Sequence, residues 1–156
     1  MKENTKLDDF DRRILRKLQS DGRISVQDLS EAVGLSPTPV SRRLKHLEEA
    51  GIISGYCARL NEVALGFGVT VFVSVRLEKQ IDTALEDFEN AIADLPEVVD
   101  CWLMTGNQDY LLRVVIAGLG EFEKFLVGGL TKVPGVASIE SSFPLRQVKA
   151  VVTRTI

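Results

Sequence analysis

The chain has 156 residues, 45% of them hydrophobic, with a formal net charge of −3 and a pI near 5.3. That content suits one ordinary domain or two small ones and excludes a disordered chain or a fibrous repeat. No apolar run approaches the roughly 20 residues of a membrane span, and MKENTKLDDF has no apolar stretch behind it, so no secretory leader is expected and the protein is expected to be cytoplasmic.

The first sixty residues read as three short helices. Phe10, Ile14 and Leu18 recur every four residues, flanked by Leu7 and Leu15, while Asp8, Asp9 and Asp11 fall in the first turn, where the helix dipole favours them. Asp21-Gly22 ends that helix. Ser25-Val26-Gln27-Asp28 has the spacing of a capping box, and Leu29, Ala32 and Val33 give a second helix a short apolar face before Gly34 stops it. A third helix starts with Ser36 as N-cap and Pro37 and Pro39 in its first turn, where a missing N–H removes no intrahelical bond. Because a residue before proline avoids the helical region, Thr38 is the alternative cap.

Turned at roughly 100° per residue, Val40, Leu44 and Leu47 share one side of the third helix. Thr38, Arg42, Lys45, His46 and Glu49 project from the other, with Ser41 and Arg43 on the flanks. Charge follows the same division: residues 1–60 hold 11 Lys and Arg against 9 Asp and Glu, residues 61–156 hold 8 against 13. An acidic average therefore does not exclude a basic face. Three helices with a glycine turn before the last is the order of a helix-turn-helix, whose final helix enters the major groove by its N-terminal end. A plain three-helix bundle with a solvated basic face is the alternative on pattern alone.

Gly51 to Tyr56 is an apolar segment expected to be a wing or connecting strand, and the turn residues of Asn61 to Gly66 place a domain boundary there. The expected domains are 1–60 and 61–156. From Gly68 to Leu77 the chain alternates, Val69, Val71, Val73, Val75 and Leu77 against Phe72, Ser74 and Arg76. Ile81, Leu85, Phe88 and Ile92 then recur at helical spacing. Strands over Val98–Thr105 and Tyr110–Ala117 flank a tight GNQD turn, Leu119, Phe122, Leu126 and Leu130 mark a second helix, and strands are expected over Val136–Phe143 and Val148–Thr153. The order is ferredoxin-like βαββαβ with an extra C-terminal strand, so the expected class is α+β: a three-helix helix-turn-helix domain followed by that sheet domain. FENAIADLPEVVD and FEKFLVGGLTKVPGVAS look like two related pieces, the later with the longer helix. Trp102 and Met104 alternate with Val99, Cys101 and Leu103, so neither face of that strand is polar. A second subunit is the natural cover; a core closed by the extra strand or the linker is the alternative.

Thr105-Gly106-Asn107-Gln108-Asp109-Tyr110 concentrates the polar chemistry of the second half. Gly106 permits close backbone approach, so amide N–H groups there could cradle a carboxylate while Asp109 accepts an ammonium group, the equipment an amino-acid zwitterion needs. An ordinary hairpin turn accounts for the same residues equally well.

The segments LDDFDRRILRKLQSDGRIS, GLSPTPVSRRLKHLEEAGIISGY, LMTGNQDYLLRVV and VPGVASIESSFPLRQVKA together resemble the Lrp/AsnC family of feast/famine transcriptional regulators, over nearly the whole chain and in order. The resemblance implies a regulator of amino-acid metabolism that dimerises through its sheet and assembles into tetramers or octamers, with effectors, commonly amino acids, bound between dimers at the strand-to-strand loop. Carried over, that loop is Thr105 to Tyr110, with Ser141 and Ser142 as further candidates on a neighbouring strand, and the recognition helix is Ser36–Ala50. Arg42, Lys45 and His46 are expected toward bases or phosphates, with Ser41 and Arg43 beside them, Thr38 toward a base edge, and Ser36 with the helix N-terminus toward a phosphate.

The expected partners are therefore double-stranded DNA, a small-molecule effector and further copies of the chain; no membrane and no cofactor beyond an amino-acid effector is expected. Catalysis is not expected. The one histidine, His46, has no nucleophile near it, no phosphate loop or metal-ligand spacing occurs, and Cys57 and Cys101 lie far apart with no paired motif. A ferredoxin-like RNA-binding or small-molecule-binding protein without a transcriptional role is the alternative. Single-stranded RNA recognition wants stacked aromatics on central strands, however, and YLLRVVIA is aliphatic after its first residue.

Overall fold

The computed structural model describes residues 6–149 and 156, and the chain divides into two compact units, Met1–Arg59 with Lys149–Ile156, and Leu60–Val148. In the first, α1 spans Asp9–Ser20, α2 Val26–Val33 and α3 Pro37–Glu49. Ile14, Leu15, Leu29, Val33, Val40 and Leu47 form their common core, so each helix is held by its apolar stripe rather than by propensity alone. Ile156 also packs against this core, and the Arg16 guanidinium donates to its backbone oxygen at 2.6 Å.

The helix ends follow the sequence closely, with one reassignment. The reciprocal capping box belongs to α1: the Asp8 carboxylate accepts from the Asp11 N–H at 2.8 Å and the Asp11 carboxylate from the Asp8 N–H at 3.1 Å. At Ser25 the hydroxyl accepts from the Asp28 N–H but donates to the Asp28 side chain, so only half of that motif forms. Ser36 caps α3 with extended backbone and Thr38 lies inside the helix. Beyond α3 the expected wing strand is absent. Gly51 takes the left-handed conformation at φ 70°, its N–H bonds the Glu48 carbonyl and the Ile52 N–H bonds that of Leu47. Those two bonds are a Schellman closure of the helix. Gly51 to Ile53 thus finishes α3, and residues 54–61 have no strand partner among the described residues.

In the second unit β1 (Val69–Leu77), α4 (Asp82–Ala93), β2 (Val98–Leu103), β3 (Tyr110–Ile116), α5 (Leu119–Gly128) and β4 (Val136–Ser142) follow in order. They build one antiparallel sheet with strand order β2-β3-β1-β4, the ferredoxin-like arrangement. Val71, Val73, Val75 and Leu77 are buried with Leu112, Val114 and Ile116 against Phe88, Ile92, Phe122 and Phe125 of the two helices. The other face presents Phe72, Ser74 and Arg76 of β1 and, by cross-strand register, Arg113 of β3 with Asp100 and Trp102 of β2. On it Arg113 pairs with Asp100 at 2.6 Å and with Glu62 at 3.1 Å. Trp102 and Met104 remain exposed.

One expectation fails here. The second helix of the sheet unit is the shorter, 10 residues against 12, because Gly128-Gly129 breaks it and the remaining apolar residue, Leu130, enters the core from a separate 3₁₀ turn. The extra strand expected over Val148–Thr153 has no strand character at Val148 or Lys149; its other residues lie outside those described. No helix among the described residues is long and apolar enough to cross a membrane.

Candidate nucleic-acid and effector sites

Burying Val40 and Leu47 puts the apolar side of α3 against the bundle. Ser36, Thr38, Ser41, Arg42, Lys45 and His46 are all exposed. Arg42 has no side-chain partner among the described residues, and Lys45 meets only Glu49, at 3.7 Å across two solvent-exposed side chains. An ion pair that long and wet holds little energy and yields to a phosphate. The Ser36 hydroxyl is also uncommitted, since it makes no cap hydrogen bond. With Pro37 and Pro39 in the first turn, Thr38 supplies the only backbone N–H among the first three residues of α3. The anion capacity of this helix start therefore rests on one amide and two hydroxyls rather than on the full set of terminal amides.

Arg43, expected beside these residues, is engaged within the helical unit. Its Nη1 lies 2.7 Å from Asp8 Oδ2 and 2.7 Å from Asp11 Oδ1, and its guanidinium sits 5.5 Å from the centre of the Phe10 ring. The bond to Asp11 leads the causes that raise the Arg43 pKa above its ordinary value, against some desolvation. At Asp8 the Asp11 N–H leads the causes that lower the carboxyl below its ordinary value. Arg43 is occupied within the protein, facing α1, and does not stand with Arg42, Lys45 and His46.

In the sheet unit, the loop after β2 closes where the Met104 N–H bonds the Asp109 carbonyl at 2.8 Å. Thr105, Gly106 and Asn107 are exposed, and Gly106 has φ 117°. Gly106, Asn107 and Gln108 line a cleft of about 580 Å³ together with Arg76, Leu77, Glu78, Gln80 and Ser138. The Gln108 Oε1 is buried and has no hydrogen-bond donor among the described residues. A buried acceptor without a partner is costly unless something supplies a donor.

Asp109 does not present its carboxylate to this cleft as an open acceptor. It is buried, its Oδ2 accepts from the Leu77 N–H at 2.7 Å and its Oδ1 from Gln80 Nε2 at 2.6 Å. It ties the loop to the end of β1. Tyr110 turns to the opposite side of the sheet, where its hydroxyl donates to Glu89 Oε1 at 2.8 Å and it lines a separate cavity of about 440 Å³ with Ile92, Val98 and Cys101. Burial, then the Glu89 hydrogen bond and charge, push the Tyr110 phenol well above its ordinary pKa. Adjacent strand residues point to opposite faces, which separates Tyr110 from the loop it follows.

Ser141 and Ser142 also fall elsewhere. They pair with Val73 and Phe72, at the far end of β4 from the loop, whereas Ser138 pairs with Arg76 and reaches the cleft. Arg76, Glu78, Gln80 and Ser138 went unrecognised in the sequence. Antiparallel pairing puts the end of β1 beside the loop and beside the start of β4, a signal available once the strand order is known.

Comparisons with known proteins bear on both sites. Residues 7–54 match the family model described as winged helix-turn-helix DNA-binding, and residues 70–152 match the Lrp/AsnC ligand binding domain. The Bkd operon transcriptional regulator of Pseudomonas aeruginosa is 51% identical over 142 residues, 91% of this chain and 93% of that one. The leucine-responsive regulatory protein of Rhizobium meliloti is 42% identical over 92% of each chain. A transcriptional regulator of Neisseria meningitidis, solved as an L-Met complex, superposes with a TM-score of 0.90 at 39% identity, covering 94% of this chain and 95% of that one. With both halves matched in order and relatives aligned almost end to end, the chain belongs to the Lrp/AsnC family of DNA-binding transcriptional regulators.

Proposed function

We propose that this regulator reads duplex DNA with Thr38, Ser41, Arg42, Lys45 and His46 of α3, helped by Ser36 at the helix start, and senses a free amino acid in the cleft beside the loop Thr105–Gln108. The observation that carries the second part is the cleft's chemistry: a cation at Arg76, an anion at Glu78, and the donor-starved Gln108 oxygen. A zwitterion supplies the complement, its carboxylate meeting Arg76 and its ammonium meeting Glu78 and Gln108. The L-Met complex of the Neisseria relative and the leucine response named for the Rhizobium one support an amino acid as the class. The exposed Trp102 and Met104 support a second copy packed on the open sheet face, and a protein that meets DNA in this way acts in the cytoplasm without catalysis.

A thermal-shift screen of the full chain against the common amino acids tests the effector assignment. A ligand present at 100 times its Kd stabilises the native state by about 2.7 kcal/mol, so at least one amino acid raises the melting temperature, and Arg76→Ala or Gln108→Leu removes the rise. No shift with any amino acid, in the presence or absence of DNA, overturns it.

A further inference from the structure

We infer that Arg43 is a positioning residue: held by Asp8 and Asp11 of the first helix, it sets the roll of α3 about its own axis, and so which side chains of α3 face DNA. All four carboxylate oxygens are engaged, two by backbone N–H groups and two by the single nitrogen Arg43 Nη1. Asp8 Oδ1 takes the Asp11 N–H and Asp11 Oδ2 the Asp8 N–H, leaving Asp8 Oδ2 and Asp11 Oδ1 for Arg43. The capping box thus orders both acids from the backbone, and the guanidinium meets a preformed seat rather than two mobile side chains. Phe10 closes that seat, with Arg43 at 5.5 Å and Arg13 at 5.6 Å from its ring centre.

The apolar contacts of Val40 and Leu47 keep α3 against the bundle, but they are non-directional. The hydrogen bond to the anchored Asp11 is directional, and the ion pair to Asp8 at the same nitrogen reinforces it. Because consecutive helical residues are turned by about 100°, fixing Arg43 toward α1 also fixes Arg42 next to it, with Thr38, Lys45 and His46 following. The two acids also neutralise the Arg43 charge, which is therefore not one that releases counterions from DNA.

The inference rests on the proposed DNA face of α3, and the test separates the two. A duplex selected from a randomised pool and a scrambled duplex are titrated with the full chain over a salt series. The variants are Arg43→Met, Asp8→Asn with Asp11→Asn, the triple substitution, and Arg42→Ala. Positioning requires that Arg43→Met and the Asn pair each lower the selected-to-scrambled affinity ratio by about tenfold, the scale of losing one base contact. The triple variant then loses no more than either alone, and the salt slope of Arg43→Met stays at the wild-type value. A slope lower by about one, with equal loss on both duplexes, makes Arg43 a phosphate contact and overturns the inference. An undiminished ratio in the Asn pair, or additive losses, overturns it too. Should Arg43→Met fail to fold by circular dichroism, Arg43→Lys, which keeps a charge for the two acids but not the guanidinium against Phe10, has to show a smaller loss than the Asn pair at unchanged slope. A wild-type chain that does not distinguish the duplexes refutes the proposed DNA face; a discriminating wild type that Arg42→Ala impairs and Arg43→Met does not refutes the positioning role alone.

Discussion

Asp109→Ala should be among the most damaging substitutions of a polar residue in the sheet unit, although Asp109 belongs to a surface loop. The residue is 5% exposed, and its carboxylate accepts from the Leu77 N–H and from Gln80 Nε2. A hydrogen bond to a charged group contributes roughly 1.5–3 kcal/mol net, and an N–H left buried without a partner costs about 1–3 kcal/mol. These overlap at Leu77, so the expected loss is about 3–5 kcal/mol. Asp109→Asn keeps an oxygen for the Leu77 N–H, and Gln80 can turn its amide to accept from the new NH₂, so only the charge assistance is lost, about 1–2 kcal/mol. Urea unfolding followed by the fluorescence of Trp102, the chain's one tryptophan and a residue of β2 beside this loop, measures both. Asp109→Ala costing under 1 kcal/mol, or the two variants costing the same, would refute the assignment of Asp109 as the loop's anchor.

Tyr110→Phe should flatten the alkaline stability profile. Burial and Glu89 raise the phenol's pKa in the native state, so above about pH 10 the unfolded chain releases that proton and the native chain does not; stability is present below pH 10 and lost as pH rises beyond it. Cys101, raised mainly by burial, adds a slope of the same sign, so the difference between wild type and Tyr110→Phe isolates the phenol, and equal slopes would contradict this. Leu47 is fully buried in the helical core, and Leu47→Ala should cost about 2–5 kcal/mol there and abolish DNA binding while leaving the Trp102 unfolding transition in place. A Trp102 transition shifted by the same amount would contradict the assignment of separate cores.

The periodicity of the chain carried most of the fold. Ile14, Leu29, Val40 and Leu47 define their helices by apolar spacing, and the alternation from Val69 to Leu77 defines β1 with its inward face. Apolar content without periodicity misled: Ile52 and Ile53 look like a strand but finish α3, because Gly51 takes the left-handed conformation that turns the chain back on the helix. Gly128-Gly129 concealed a helix break inside a continuing apolar pattern. At the sites, position around the α3 axis separated Arg42, Lys45 and His46 from the core, yet it left Arg43 on a flank because its partners, Asp8 and Asp11, lie more than thirty residues away. The cleft was legible only as its loop. Arg76 and Ser138 reach it through strand pairing, Glu78 and Gln80 from the segment that follows β1, and Asp109 and Tyr110, consecutive in that loop's sequence, diverge to an anchor and a core position.

The account stands most directly on whether the exposed side of α3 is the surface that meets DNA. Fluorescence anisotropy of the full chain on a duplex selected from a randomised pool, comparing wild type with Arg42→Ala, Lys45→Ala and His46→Ala, decides it. Arg42→Ala is expected to weaken binding by about 1–3 kcal/mol where it reads a guanine, and Lys45→Ala to lower the salt slope by about one where it meets a phosphate. Wild-type affinity and slope in all three variants, with folding intact, would contradict the account.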